Sequence, residues 1–222
     1  AFEGSGLECG MKAVEGAIQR AEIDKDLNTK IVTIGEGKPK GICGSGYIDL
    51  ICQMLKRGVI GKNGKIDNSL KSKNIRKTGT GYEFVVAKDI IITDDDIENL
   101  KRSKGAIYSA IIALLNKVEK KLDDIKKIYI AGGFGNYLNI ENAIFIGLLP
   151  GADRSRYEFI GNSSLAGARM SLLSRDAFMK AHEIYKNITY VDLGSEPSYM
   201  DEYVAALFFP HTDLGRFPSV RL

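Results

Sequence analysis

Apolar and polar positions repeat with two different periods along this chain, and the changes of period mark its elements. Ser5, Gly6, Leu7 and Glu8 have capping-box spacing, which predicts a short helix running through Met11 and Ala13. Residues 31–34 (Ile-Val-Thr-Ile) are β-rich and predict a strand. A helix is expected over 45–56, with Ile48, Ile51, Cys52 and Leu55 on one face and Gly58 placed to end it. The stretch 60–80 is polar, rich in Lys and Asn, and carries an Asn63-Gly64 turn signal, so it is expected to be exposed. Two strands follow, at 82–86 and 89–93.

The longest helix is predicted to start at Thr93. Asp94, Asp95 and Asp96 place carboxylates in its first turn, where the helix dipole favours them. Ile107, Ile111, Leu114, Val118 and Leu122 then recur at steps of three or four and read as its apolar stripe. Residues 127–131 (Lys-Ile-Tyr-Ile-Ala) read as a strand buried in a parallel sheet. Beyond it the pattern gives helices at 140–145, 163–173, 176–186 and 199–208, and strands at 157–160 and 188–191. From Phe209 the pattern is lost, and residues 210–222 read as a tail or a linker to another domain. Strands alternating with helices through the second half argue for α/β layering.

Composition narrows the class without naming it. The 222 residues suffice for a sizeable core, with 44% hydrophobic and 27% charged residues. A net charge of +3 gives no case for nucleic acid or anionic lipid. No apolar run reaches the roughly 18 residues that span a bilayer, and no signal pattern opens the chain, so no membrane is expected. The first residue is not Met, which reads as a piece of a longer chain. Three cysteines (Cys9, Cys43, Cys52) without a C-x-x-C pair argue against a disulfide framework or a self-contained metal site and favour a cytoplasmic protein. The odd feature is 24 glycines against 5 prolines, which suggests many tight strand-to-helix turns.

The glycines gather where chemistry could sit. Ile130-Ala131-Gly132-Gly133-Phe134-Gly135-Asn136 ends a predicted strand, and ligands of open α/β sheets bind beyond such strand ends. The spacing is neither a dinucleotide fingerprint nor a P-loop, and a structural turn fits it as well as a ligand loop does. Gly41-Ile42-Cys43-Gly44-Ser45-Gly46 runs into a helix start, where free N–H groups attract anions and Ser45 could be the N-cap. Cys43 has no histidine near it in sequence and reads as structural. Gly161 to Ala168 precedes and enters a helix with a small-residue face, suited to close packing. Asp94-Asp95-Asp96 reads as a solvated helix start rather than a metal site. Lys101, Arg102 and Lys104 read as a solvated face. No Ser-His-Asp or paired-carboxylate arrangement can be defended from spacing.

Six ordered motifs together carry a resemblance: Gly10-Met11-Lys12-Ala13, Gly41 to Leu50, Lys104-Gly105-Ala106-Ile107-Tyr108, Ala131 to Leu138, Ile146-Gly147-Leu148-Leu149-Pro150, and Ile160 to Leu165. With these the chain resembles the reductive activators of corrinoid proteins. These are iron–sulfur ATPases of the superfamily that includes acetate and sugar kinases, heat-shock chaperone ATPases and actin. The resemblance covers nearly the whole chain. It implies an α/β fold: an actin-like (ribonuclease H-like) C-terminal lobe over residues 1–222, a mixed sheet flanked by helices, with a small inserted subdomain at about 47–100.

The same resemblance implies a function: the lobe of an ATP-dependent activase that returns Co(II) corrinoid to Co(I) in a methyltransferase system. Gly132, Gly133, Phe134, Gly135 and Asn136 match the superfamily's adenosine motif, and Gly44, Ser45 and Lys104 are further nucleotide contacts by analogy. Implied cofactors are ATP or ADP with Mg²⁺, and an iron–sulfur cluster held by the parent and not by this segment. Implied partners are a corrinoid protein, the N-terminal lobe and the iron–sulfur domain. Phosphate motifs of the Asp-Ile-Gly-Thr kind do not occur, so the lobe alone is expected not to hydrolyse ATP. Two other readings stay open: a docking module that binds no nucleotide by itself, and a lobe of a small-molecule kinase of the same superfamily.

Overall fold

The computed structural model describes residues 6–132 and 137–221. The described residues form three small sheets and six α-helices, and one hydrophobic core draws on all three sheets and the first three helices. The first sheet has the order β2-β1-β3, built from β1 (Ala17–Ile23), β2 (Thr29–Thr33) and β3 (Gly41–Ile42). β1 runs antiparallel to β2 and parallel to β3, so the sheet is mixed, as expected. Helix α1 (Gly44–Lys56) lies on it and buries Tyr47, Ile48, Leu50, Ile51, Cys52 and Met54. The approach is close because residue 46 is glycine: a Cβ there would collide with the Ile18 carbonyl oxygen. Gly58, with φ +69°, ends the helix as its sequence position predicts.

A second sheet, β4 (Ile75–Lys77), β5 (Tyr82–Ala87) and β6 (Ile90–Thr93), is antiparallel throughout. Phe84 and Ile92 face each other across it and are fully buried. The Asn63-Gly64 turn forms, with Ile60 and Ile66 bridged on either side and both buried. Thr93 then caps α2 (Asp94–Lys117) in a complete capping box with Asp96. Asp94 accepts from the N–H groups of Ile66 (3.2 Å) and Tyr82 (2.9 Å), so the acidic run at this helix start ties strands together.

The buried face of α2 is not the predicted stripe. Ile97, Leu100, Lys101, Lys104, Tyr108 and Ala113 are buried, whereas Ile107, Leu114 and Val118 are exposed and Leu122 lies beyond the helix. The reason is α6 (Tyr199–Ala205) and the chain after it. Tyr203 and Leu207 pack at 3.3–3.4 Å from the Cβ position of Gly105, which selects that side of the helix.

The third sheet pairs β7 (Ile128–Ala131) with β8 (Tyr157–Gly161) in parallel. The first of these strands is expected to be buried, yet β7 alternates between half-buried and exposed, with Tyr129 60% exposed, and in β8 only Tyr157 is buried. Helix α3 (Ile140–Phe145) lies between the two strands in sequence and packs into the core. Helices α4 (Ser163–Leu173) and α5 (Arg175–Lys186) form where the periodicity places them, but no residue of either is buried. Among the described residues nothing lies within 4 Å of the Cβ position of Gly167 on the small-residue face of α4.

Two expectations fail outright. Residues 6–13 form turns, not a helix: Gly6 takes φ +90°, the Glu8 N–H binds Asp96, and Gly10 bridges to Ile42. Residues 188–191 form no strand, and Tyr190 is 85% exposed. Past α6 the chain is irregular apart from a short 3-10 turn at Leu214–Arg216, with Phe209, His211 and Phe217 buried and most of the residues between and after them exposed.

Candidate functional site

A groove of about 730 Å³ opens on the first sheet. β1 contributes Gln19, Arg20, Ala21 and Glu22, and β2 contributes Lys30 and Val32. α1 supplies Ser45, Asp49 and Gln53. These three stand four residues apart, so they form one polar row along a helix that is otherwise apolar. The opposite wall is Tyr137, Leu138, Asn139 and Asn142, the segment that follows the glycine motif.

A chain of hydrogen bonds holds the groove's floor to this wall. Asp49 accepts from the Ala21 N–H at 2.9 Å and from the side-chain amide of Asn142. The amide oxygen of Asn142 accepts in turn from the Cys52 thiol at 3.2 Å. Asn139 caps α3 by accepting from the Asn142 N–H at 3.1 Å. Burial raises the Asp49 carboxyl above the usual range, opposed by the Ala21 and Asn142 bonds and the charges of Arg20 and Lys56. Burial also pushes the Cys52 thiol up to about 11, so it stays protonated and can donate.

The expected site residues are distributed unevenly. Ser45 lines the groove, with its hydroxyl 3.3 Å from the Cys43 sulfur, but it is not the helix cap. That position is Cys43, which makes no side-chain capping bond, and Cys43 instead bonds the Ile18 carbonyl at 3.2 Å. Gly44 is buried in the first turn. Gly132 closes β7 with φ +97° and donates to the Gly161 carbonyl at 2.7 Å, and a Cβ there would meet open space. Gly133, Phe134, Gly135 and Asn136 lie outside the described residues.

Lys104 is elsewhere. It is fully buried, and its ammonium donates to the carbonyls of Ala206 (2.5 Å), Phe208 (2.7 Å) and Pro210 (3.0 Å). Its Nζ faces these three carbonyls inside the core, and Lys104 is not among the residues that line the groove. The solvated reading of Lys101 fails as well, since it donates to the Asn63 carbonyl and to Glu98, both at 2.6 Å. Arg102 is exposed as expected.

Asp49, Gln53 and Asn142 line the groove as well, beyond the residues expected from the sequence. The available signal was the row Ser45, Asp49, Gln53: a charged and an amide side chain recurring every fourth position of an apolar helix.

A mixed sheet backed by α1, with a polar groove at its face, defines an α/β lobe. The chain belongs to the family described as the C-terminal domain of RACo, the ASKHA domain, which it matches over residues 1–221. It is 34% identical over 94% of its length to the corrinoid activation enzyme RamQ of Eubacterium limosum, covering 38% of that protein. It is 27% identical over 94% of its length to the [Co(II) methylated amine-specific corrinoid protein] reductase of Methanosarcina barkeri, covering 40% of it. Among solved structures, a reductive activator for corrinoid, iron–sulfur protein superposes with a TM-score of 0.91 at 46% identity, over 99% of this chain and 36% of that one. The chain thus spans well under half the length of these relatives. None of its described helices is long and apolar enough to cross a membrane.

Proposed function

We propose that this chain serves as the C-terminal lobe of an ATP-dependent activase that returns Co(II) corrinoid to Co(I), and that its groove takes the adenosine half of the nucleotide. The supporting observation is the convergence of the α1 polar row and the segment after Gly132 on one groove. The residues suit adenosine: Val32, Leu138 and Tyr137 offer apolar surface for a base, and Gln53, Asn139 and Asn142 offer amides. Gly132 and the glycines after it allow close backbone approach.

The phosphates and Mg²⁺ fit less well. Among the described residues no group of three His, Cys, Asp or Glu could hold a metal ion. The three cysteines are free, and each is hydrogen-bonded to a different part of the fold: Cys43 to Ile18, Cys52 to Asn142 and Cys9 to Ile91. Phosphate chemistry and the electron donor are therefore assigned to the rest of a longer protein. This lobe's own part is to bind and orient the nucleotide, and to present a surface to the N-terminal lobe, the iron–sulfur domain and the corrinoid protein. The exposed apolar side chains of α4 and α5 support such a surface, because monomeric domains seldom leave large apolar patches uncovered. The β4–β6 sheet with the 60–66 turn would be the inserted subdomain.

The test is equilibrium binding of a fluorescent ATP analogue to the full-length protein and to its Val32→Trp variant. Val32 is half exposed at the groove wall, so the indole should fill the groove without disturbing the core. Loss of binding is expected; unchanged affinity would overturn the assignment. Hydrolysis of ATP by this lobe alone at the parental rate would overturn the division of labour. A corrinoid protein captured equally well with and without nucleotide by a lobe that binds none would favour the docking reading.

A further inference from the structure

We infer that Asp49 and Asn142 act as a positioning pair, locking α3 against α1 and so setting the groove wall formed by Tyr137, Leu138 and Asn139. The inference rests on the adenosine reading for its functional consequence, but its geometry is independent of any nucleotide. Asn142 sits one turn into α3, just past the segment that joins the glycine motif to the helix. Its side chain is nearly buried and uses both ends: the amide donates to Asp49 and the oxygen accepts from Cys52. Asp49 in turn is held by the Ala21 N–H of β1 at 2.9 Å. One side-chain chain therefore crosses from the sheet through α1 to α3. Each member has its partner, and a buried network satisfied in this way fixes one arrangement.

Directionality makes the pair specific. Asp49 can only accept as a carboxylate, and Asn142 must turn its amide toward it, which leaves its oxygen for the thiol. The charged groups facing this pair are Arg20 and Glu22 from β1, Lys30 from β2 and Lys56 from α1. Replacing Asn142 by aspartate sets two carboxylates against each other. Exchanging the two side chains restores a donor–acceptor pair. The amide then stands at position 49, accepting from the Ala21 N–H and donating across to α3. The carboxylate then stands at position 142, where it receives that bond and still accepts from Cys52.

The experiment compares N142D with the exchanged double variant D49N/N142D in the full-length protein. Two readouts are followed: affinity for a fluorescent ATP analogue across pH, and the alkylation rate of Cys52 measured on its peptide by mass spectrometry. Near pH 8, N142D should bind about tenfold more weakly and recover as acid supplies a shared proton, while the exchanged variant stays within about threefold of the unaltered protein. Cys52 alkylation should rise about tenfold in N142D, because α3 parting from α1 exposes a thiol that is fully buried, an effect that outweighs the slower thiolate formation beside a second carboxylate, and it should return in the exchanged variant. The inference is overturned if N142D leaves both readouts unchanged at pH 8, or if the exchange fails to restore either one. If Cys52 follows this pattern but no variant, nor the unaltered protein, binds nucleotide, the adenosine reading fails and the positioning role stands.

Discussion

Lys104→Met removes the buried ammonium while keeping a side chain of similar length. In the native lobe Nζ meets three carbonyl oxygens, of Ala206, Phe208 and Pro210, at 2.5–3.0 Å, and stacks 5.2 Å from the Phe209 ring centre. Those carbonyls belong to the segment that folds back into the core after α6. A buried carbonyl left without a donor costs about 1–3 kcal/mol, and methionine recovers part of the total through apolar packing. A net loss of about 3 kcal/mol follows, which for a chain of this size lowers Tm by roughly 6–12 °C. Urea unfolding and thermal melts measure both.

The same variant has a signature in pH. Burial first, and then the nearby charge of Lys101, pull the Lys104 ammonium down to about 7. The unfolded chain keeps this proton up to the ordinary lysine value of about 10.5. Between these values unfolding takes up a proton, so raising the pH opposes unfolding. The Lys104 contribution is fully present above the unfolded value and is lost as pH falls through 7. Stability of the native chain relative to Lys104→Met should therefore climb by roughly 1 kcal/mol per pH unit from about 7 to 10. A variant as stable as the native chain, or a stability difference flat in pH over that window, would refute the reasoning.

Other consequences are as direct. Gly46→Ala drives a methyl into the Ile18 carbonyl oxygen and should cost about 3 kcal/mol in urea unfolding by forcing α1 off the sheet. Gly147→Ala meets the Pro210 carbonyl with φ at +75°, and the combined clash and backbone strain should lower Tm at least as much, by about 3 kcal/mol equivalent. Thr93→Ala removes the α2 cap and should cost about 1 kcal/mol, read from the same denaturant curves. Gly167→Ala, with open space around it, should instead stabilise the isolated lobe by about 0.5–1 kcal/mol through helix propensity. In the full-length protein the same methyl sits on the face proposed to meet another part of the chain, so a gain there as large as in the lobe would speak against that surface.

Much of the fold could be read from local patterns because local physics decides those elements. The cap at Thr93, the Gly58 stop, the Asn63-Gly64 turn and the helices at 140–145 and 163–173 each depend on a few adjacent residues, and each forms where its pattern lies. What failed depends on distant partners. The apolar stripe on α2 was read from spacing alone, but Tyr203 and Leu207 choose the Gly105 side, and a lysine ends up in the core because three carbonyls of the returning chain need a donor. Residues 5–8 offer a capping box that the Asp96 carboxylate, 88 residues away, outcompetes by taking the Glu8 N–H. The chain after Phe209 has no periodicity because it is not a regular element; it is held by Lys104 and by the burial of Phe209, His211 and Phe217.

The site was half legible for a related reason. Glycine announces close approach, and the motif at 132–136 and the run at 41–46 both drew notice on that ground. A groove, however, is made of side chains that reach it from separate elements, and Asp49 and Asn142 stand 93 residues apart. Neither is conspicuous alone: an aspartate on a helix is ordinarily solvated, and an asparagine near a helix start is ordinarily a cap. Their meaning comes from what each lacks. Asp49 sits on a helix whose neighbours Ile48 and Leu50 are buried, so its carboxylate needs donors, and Asn142 lies beyond the cap that Asn139 already supplies, so its amide is free to serve. A polar residue whose local role is already filled or forbidden must find its partner across the fold. Here that partnership joins the helix floor of the groove to the wall formed by Tyr137, Leu138 and Asn139.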